Sequence, residues 1–254
     1  MKNLLWILLL ALAIGCKGKE EKHKEVDSDP FSKMDKEVPH SSVVENEWTV
    51  LFNGSSFDGW HFYRGEDVTD PWKLEDDTMV FHPLAERPEG TSYNIVTDKA
   101  YTNFVLSLEW KISEGGNSGI FWGVLEDEKF GQPYQTGPEI QILDDENHPD
   151  AKNGTTHQAG ALYDMVPPSE KAVKPVGEWN RIEIMINHES NMGHVILNGK
   201  KIVVFPVHGE SWKSMVASSK FMDWEGFGIY KTGKIGLQDH GDMVAYRNIK
   251  IKEL

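Results

Sequence analysis

The sequence predicts an all-β domain, and three observations support this fold class. Short segments of alternating apolar and polar residues recur between turn signals, most clearly in Phe104–Ile112. Asn198-Gly199 stands between two such segments, as in a type I′ β-hairpin. No segment after the N-terminal apolar run keeps a helical periodicity of useful length. Many short strands separated by turns are typical of a sandwich or a barrel.

The strands are predicted one after another from residue 48 to the C-terminus. A first strand in WTVLF ends at the turn Asn53-Gly54-Ser55, and a hairpin crosses Asp76-Asp77. The full set is Trp48–Phe52, Phe57–Tyr63, Trp72–Glu75, Thr78–His82, Phe104–Ile112, Gly119–Leu125, Pro138–Leu143, Glu178–Asn187, Gly193–Leu197, Lys200–Phe205, Lys234–Gln238 and Val244–Lys252. Long connections remain at 144–161, 163–176 and 206–233, and we expect them to surround a site.

The N-terminus precedes this domain and is typical of a secreted protein. Lys2 is followed by an apolar run at Leu4–Ile14, which is too short to span a membrane and fits a signal peptide over residues 1–15. Ala-Ile-Gly directly before Cys16 resembles a bacterial lipoprotein signal, in which Cys16 becomes the lipidated first residue. The alternative is an ordinary signal peptide with an incidental cysteine. Lipidation predicts a membrane-anchored protein in the cell envelope of a Gram-negative-type bacterium.

Composition separates a tether from a single folded domain. Residues 16–47 are rich in Lys, Glu, Asp and Ser and have few large apolar side chains, so we expect a flexible tether there. Residues 48–254 fit one domain. The net charge of −14 argues against nucleic acid as a partner. Cys16 is the only cysteine, so an internal disulfide, a thiolate metal site and a catalytic thiol are excluded.

The strand in Gly137–Asp145, with the sequence GPEIQILDD, is the first indication of a binding site. Side chains alternate across a strand, so Glu139 and Gln141 share one face. Ile140 and Ile142 then face a core. This strand is therefore predicted to present a carboxyl and an amide group on its polar face.

A second strand, ending in GLQDHG at Gly236–Gly241, follows the same pattern. Gln238 and His240 share a face, and Asp239 is opposite them. Two strands that present Glu, Gln, Gln and His favour a polar ligand such as a sugar. Proton-transfer groups stand among them, because an imidazole titrates near neutral pH.

Eight segments together resemble a known family, the 3-keto-disaccharide hydrolase domain. The resemblance covers essentially all of residues 48–254. It implies a concanavalin A-like jelly-roll β-sandwich acting on 3-keto-glycosides, which a separate sugar 3-dehydrogenase supplies. The segments, in the family's order, are LFNGSSFDGW (51–60), GGNSGIFW (115–122), GPEIQILDD (137–145), GALYDMVPP (160–168), GEWNRIEI (177–184), ILNGKKI (196–202), GKIGLQDHG (233–241) and YRNIKIKEL (246–254).

A ketone at C3 of such a sugar acidifies the proton on C2, so a base can start a β-elimination that releases the group on C1. This chemistry needs a base with a pKa near neutrality, an acid for the departing oxygen and donors for the enolate oxygen. The candidate catalytic residues are His240, Glu139, His157 and Tyr163. The candidate substrate-binding residues are Gln141, Asp144, Gln238, Asn117, Trp122 and Arg247.

Several of these residues have structural alternatives. Trp122, Trp212 and Trp224 are near the long connections, where an indole can stack on a sugar, but core positions are the ordinary alternative. No cofactor is certain. A divalent metal is open, either as calcium in the acidic run DDENHPD at 144–150 or bound by Glu139 and His240.

Two other functions remain open. Glu139–Asp144 has the pattern E-x-Q-x-x-D, close to the E-x-D-x-x-E strand of laminarinase-like glycoside hydrolases, but with an amide in the middle and a shortened last acid. A non-catalytic, lectin-like binding module is the second alternative, because one fold hosts many functions.

Overall fold

A computed structural model of the protein describes residues 47–254, which form thirteen strands and one α-helix. Three short 3₁₀ turns lie at Pro133–Gln135, Pro149–Asn153 and Thr155–His157. The strands are β1 (Thr49–Val50), β2 (Trp60–Phe62), β3 (Trp72–Glu75), β4 (Thr78–Phe81), β5 (Ile95–Tyr101), β6 (Phe104–Ile112), β7 (Asn117–Val124), β8 (Glu139–Leu143), β9 (Asn180–Asn187), β10 (Met192–Leu197), β11 (Lys200–Phe205), β12 (Gly233–Leu237) and β13 (Val244–Glu253), and the helix is α1 (Gly209–Ala217).

Two antiparallel sheets contain all of these strands. The larger sheet has the order β11-β10-β9-β6-β13-β4-β3, with β1 added beside β13, and the smaller has the order β2-β5-β12-β7-β8. Their inner faces meet in one core, where the rings of Trp122 (β7) and Phe205 (β11) lie 5.6 Å apart. The hydroxyl groups of Ser118 (β7) and Tyr246 (β13) are 2.7 Å apart across the same space. The predicted all-β, jelly-roll-like sandwich is confirmed.

The two sheets differ in how their outer faces are covered. In β6 the inward residues are buried while the outward Val105, Glu109 and Lys111 are partly exposed, as alternation predicts. Every residue of β7 and β8 is buried, on both faces. Loops therefore cover the outer face of the smaller sheet at β7 and β8, and a site can form between them and these two strands.

The sequence located most strands but missed two elements. The hairpin β3–β4, the strand β6 and the hairpin β10–β11 through Asn198-Gly199 are confirmed. Strand β5 was missed because exposed Asp98, Lys99 and Ala100 interrupt its apolar residues. Helix α1 was missed because it buries only Trp212, so nine residues show no apolar stripe.

Residues 1–46 lie outside the described part of the chain, and with them the predicted signal peptide, Cys16 and nearly all of the predicted tether. Within residues 47–254, no helix is long and apolar enough to cross a membrane.

Candidate active site

A cavity of about 420 Å³ lies on the outer face of the smaller sheet. Its volume is within the range of small-molecule sites. One wall is polar and is formed by the strands β7 and β8 and the residues after β12, namely Asn117, Glu139, Gln141, Gln238 and His240. The opposite wall is largely aromatic and is formed by loop residues, namely Tyr134, Tyr163, Phe221, Trp224 and Phe227. As predicted, Ile140 and Ile142 face the core instead.

Glu139 is the most unusual group of the polar wall. Only 7% of the residue is exposed, and its carboxyl group makes no ion pair or hydrogen bond with a described residue. Burial raises the pKa of Glu139 to about 8, an effect that Lys220 opposes and Asp150 reinforces. The carboxyl group occupies the space above Gly119, where a Cβ would overlap its oxygen. The position of the Glu139 carboxyl group therefore requires a residue without a side chain at Gly119, the third glycine of GGNSGIFW.

Three buried amide side chains of the polar wall have unsatisfied oxygens. Neither Asn117 Oδ1, Gln141 Oε1 nor Gln238 Oε1 has a hydrogen-bond partner within residues 47–254. Buried polar atoms are normally paired, so an unpaired one needs an explanation. An amide oxygen accepts hydrogen bonds, and the three residues that carry these oxygens line one cavity, which favours a ligand rich in hydroxyl donors.

His240 lies at the rim of the cavity beside Asn117. The Nδ2 atom of Asn117 is 3.4 Å from its Nε2, and Asp242 Oδ2 is 3.9 Å from its Nδ1. Partial removal from water lowers the pKa of His240, although the Asp242 carboxylate acts in the opposite direction. The imidazole is therefore neutral at pH 7 and can accept a proton.

The two other predicted catalytic residues differ in position. Tyr163 lines the cavity and donates a 2.9 Å hydrogen bond to Asp150. Burial and this hydrogen bond raise the pKa of Tyr163, so it is not a base. His157 is not among the residues that line the cavity. Its two ring nitrogens are each 3.0 Å from a carboxylate oxygen, that of Asp150 on one side and that of Asp164 on the other. His157 contacts the site through two residues of its surroundings, Asp150 and the ring of Tyr163, whose centroid is 4.7 Å from its own.

Asp144, a predicted substrate-binding residue, is directed away from the cavity. It accepts hydrogen bonds from the backbone N–H groups of Gly115 at 2.8 Å and Glu146 at 3.0 Å, and from the Asn147 side chain at 2.8 Å. Burial alone would raise the pKa of Asp144, but these hydrogen bonds outweigh it and lower the pKa. Its role in the structure is to close the loop after β8, which corrects the predicted sugar contact.

Trp122 and Arg247 also lie elsewhere. Trp122 is on the inward side of β7, packed on Phe205 in the core, because alternation puts it opposite Gly119. Arg247 is on the larger sheet, where it pairs with Glu109 at 2.7 Å and covers the ring of Trp179 at 4.0 Å. Neither residue lines the cavity, which corrects the predicted sugar contacts of both. Of the three candidate tryptophans, Trp122, Trp212 and Trp224, only Trp224 lines the cavity.

Some cavity residues escaped sequence analysis. Arg87 forms a two-pronged ion pair with Asp239, at 2.7 and 3.0 Å, although 152 positions separate them. Asp239 was predicted on the opposite face from Gln238, but β12 ends at Leu237 and strict alternation ends with it. Lys220 comes from the connection 206–233, which was expected to surround a site. The charge of Lys220 alone did not indicate that this residue lines the cavity.

The predicted divalent metal can be tested against the donor atoms. Potential ligand atoms of His148, His240 and Asp242 lie within 4.8 Å of one another, and Glu139 is not among them. Nδ1 of His148 accepts a 3.1 Å hydrogen bond from the backbone of Asp150, so the neutral ring carries its proton on Nε2. That nitrogen offers a donor and not a lone pair, so this arrangement fits a cation poorly. A metal in this protein remains a prediction.

Comparisons with known proteins agree on one family. The family model described as "3-keto-alpha-glucoside-1,2-lyase-like domain" matches residues 47–252. A protein named 3-keto-disaccharide hydrolase from Bacteroides thetaiotaomicron is 32% identical over 291 residues, covering 100% of both chains.

Solved structures agree with this result. A crystal structure of a candidate glycosyl hydrolase from Parabacteroides distasonis is 37% identical, with a TM-score of 0.76 over 82% of this chain and 95% of the other. A second from the same organism is 28% identical, with a TM-score of 0.62 over 82% of this chain and 100% of the other.

Proposed function

This chain belongs to the 3-keto-alpha-glucoside-1,2-lyase-like family, and we propose that it cleaves the glycosidic bond of 3-keto-glycosides, including 3-keto-disaccharides, in the cavity of the smaller sheet. Family membership and the relative named 3-keto-disaccharide hydrolase support a glycoside hydrolase-type activity. One observation carries the proposal to this cavity: Glu139 is buried, makes no ion pair within residues 47–254, and lines the same cavity as three residues whose amide oxygens need donors.

The protonation states of Glu139 and His240 suggest their roles. With a pKa of about 8, Glu139 is mostly protonated at pH 7, while His240 is neutral because its pKa is lowered. Two groups whose environments move their pKa values in opposite directions are a recurrent acid–base arrangement. We assign His240 as the base and Glu139 as the acid.

In the proposed reaction His240 takes the proton from C2, and the electrons of the C2–H bond form an enolate on the C3 ketone. The enolate collapses to a C1–C2 double bond while the C1–O bond breaks, and Glu139 gives its proton to the departing oxygen. Water then adds to C1 and a proton returns to C2, which makes the net reaction a hydrolysis. Lys220 and the Asn117 amide nitrogen supply positive potential for the enolate oxygen.

The laminarinase-like alternative is weakened by Asp144. Such an enzyme needs two carboxyl groups flanking the bond to be cleaved. Asp144 is turned to backbone N–H groups, so of the two carboxyl groups in Glu139–Asp144 only that of Glu139 lines the cavity.

Three further parts of the proposal concern the biological setting. Cys16 would carry a lipid anchor that holds the protein to a membrane in the envelope of a Gram-negative-type bacterium. A separate sugar 3-dehydrogenase would produce the ketone, because the proposed chemistry requires C3 already oxidised. Nucleic acid is not a proposed partner, in keeping with the net charge of −14.

The full chain incubated with a 3-keto aryl glucoside in deuterated water tests the proposal. We expect release of the aglycone and deuterium at C2 of the sugar, read by mass spectrometry. Release of the aglycone without deuterium at C2 would favour direct hydrolysis. Sugar binding without cleavage would favour the lectin-like alternative.

The pH dependence provides a separate prediction. The base must be neutral, so kcat/KM should fall as the pH drops through the lowered pKa of His240. The acid must be protonated, so kcat/KM should also fall as the pH rises through about 8, the pKa of Glu139. We expect a bell-shaped profile of kcat/KM against pH for the unmodified protein. In Glu139→Gln the alkaline limb of this profile should be missing. An alkaline limb that persists in this variant would contradict the assignment.

A further inference from the structure

A chain of hydrogen bonds lies behind the cavity and takes no part in the proposed acid–base step. It begins at Asp164, whose Oδ1 is 3.0 Å from Nε2 of His157, and continues through Nδ1 of His157, 3.0 Å from Asp150 Oδ1. Each ring nitrogen of His157 thus lies at hydrogen-bonding distance from one carboxylate oxygen. Asn153 donates a further hydrogen bond to the same oxygen of Asp150 at 2.8 Å. One oxygen of Asp150 is thereby fixed from outside the cavity.

The second oxygen of Asp150 reaches the cavity wall. Oδ2 accepts the hydroxyl proton of Tyr163 at 2.9 Å and faces Nε2 of Gln141 at 3.4 Å. Burial alone would raise the pKa of Asp150, but hydrogen bonds from Asn153, Tyr163 and His157 lower it, so the carboxylate is ionised.

The contact between Asp150 and Gln141 fixes the orientation of the Gln141 amide group. A reversed Gln141 amide would place its oxygen against a carboxylate oxygen, so the NH₂ group must face Asp150. Oε1 is then left without a partner, on a residue that is only 1% exposed. Tyr163, having directed its proton at Asp150, keeps only lone pairs for a ligand.

We propose that Asp150 is a positioning residue that makes Gln141 and Tyr163 hydrogen-bond acceptors, so that this part of the cavity selects a sugar hydroxyl. A carbonyl or a deoxy carbon at that position leaves buried acceptors unpaired and is rejected. The inference rests on the proposed function for the identity of the sugar. It also places the C3 ketone away from Gln141 and the Tyr163 hydroxyl group, on the side of Asn117.

The experiment compares the full chain with Asp150→Asn and with a matched control, Asp164→Asn. Both variants remove one carboxylate from His157, but only the Asp150 carboxyl group hydrogen-bonds to Gln141 and Tyr163, whereas that of Asp164 bonds to His157 and to the backbone N–H of Lys220. Calorimetry measures the Kd of 3-keto-glucose and of its 4-deoxy and 6-deoxy derivatives, none of which has a glycosidic bond to cleave. Cleavage of a 3-keto aryl glucoside is measured in parallel.

We expect one deoxy derivative to bind the unmodified protein about 10-fold to 100-fold more weakly than 3-keto-glucose, the cost of leaving buried acceptors unpaired. In Asp150→Asn this ratio should fall to within about threefold, and in Asp164→Asn it should persist. A merely structural role of Asp150 would change stability without changing the ratio.

Three results would overturn the inference. The unmodified protein could bind all three sugars equally, it could bind none of them, or the ratio could be undiminished in Asp150→Asn. A hydroxyl-selective ratio without any cleavage would overturn the proposed function and support the inference. If Asp150→Asn does not fold, Tyr163→Phe removes one acceptor and should lower the same ratio, and an unchanged ratio there counts against the proposal.

Discussion

Glu109 and Glu139 occupy equivalent positions in two different sheets. Each is an outward-facing carboxyl group in an alternating strand, Glu109 in β6 of the larger sheet and Glu139 in β8 of the smaller one. The Glu109 side chain is 25% exposed and is 2.7 Å from Arg247. Glu139 is 7% exposed and makes no ion pair with a described residue.

The difference arises from what covers each strand. Over β6 the neighbouring strand supplies a cation and solvent remains close, so the charge of Glu109 is compensated. Over β8 the loops that carry Phe221 and Trp224 remove water without providing a paired cation. The same strand pattern therefore yields an ordinary surface ion pair in one sheet and a carboxyl group with a pKa of about 8 in the other. Chemical function here depends on the covering loops.

Replacing each glutamate by glutamine gives the largest expected contrast. Glu139→Gln should lower kcat/KM for a 3-keto aryl glucoside by about 1,000-fold, the scale of a lost general acid. Glu109→Gln should leave kcat/KM within about twofold, because an exposed ion pair contributes little. Steady-state kinetics of both variants measure the difference. Comparable losses in the two variants would show that the cavity of the smaller sheet is not the active site.

The same pair of variants should differ in the pH dependence of stability. The pKa of Glu139 is about 8 in the folded protein and 4.5 as its ordinary value, so the folded state binds more protons between these two pH values. Its contribution to stability is therefore lost as the pH rises through this window. Glu139→Gln should be more stable than the unmodified protein by about 3 kcal/mol at pH 7 and by almost nothing at pH 4.5.

Urea unfolding at several pH values measures this stability difference. For Glu109→Gln we expect a small loss, under about 1 kcal/mol, without a trend between pH 6 and pH 8. A Glu139→Gln effect that stays constant from pH 5 to pH 8 would mean that Glu139 is ionised throughout and that its assignment as the acid is wrong.

Sequence reasoning succeeded for the fold where one face of a strand is buried and the other is not. Strand β6 was predicted to the residue, because its period-two pattern reflects one core face and one partly exposed face. Strand β5 was missed because three exposed residues break its pattern, although both of its neighbours in the sheet fix its position. Pairing between distant segments stabilises such a strand, and local pattern does not record it.

For the site, alternation placed Glu139 and Gln141 on the cavity wall but could not assign Asp144. A carboxylate after a strand is equally suited to bind a ligand or to accept loop N–H groups, and Asp144 does the latter. Arg87 and Asp239 could not be paired from sequence, because their contact depends on how a loop crosses the sheet. The covering loops are the part of the site that the sequence leaves undetermined.

Two glycines provide the smallest and most local contrast between the sheets. A Cβ at Gly119 would overlap the Glu139 carboxyl group, and a Cβ at Gly193 would overlap the ring of Phe205 in the larger sheet. Gly119→Ala should displace the flexible end of Glu139 and lower kcat/KM by about 100-fold, since small misplacements of a catalytic group are costly. Gly193→Ala should instead cost about 1–3 kcal/mol of stability by overpacking, with kcat/KM unchanged below the unfolding temperature. Kinetics and thermal unfolding of both variants separate the two effects. Full activity in Gly119→Ala would show that the position of the Glu139 carboxyl group above this glycine is not the one used in catalysis.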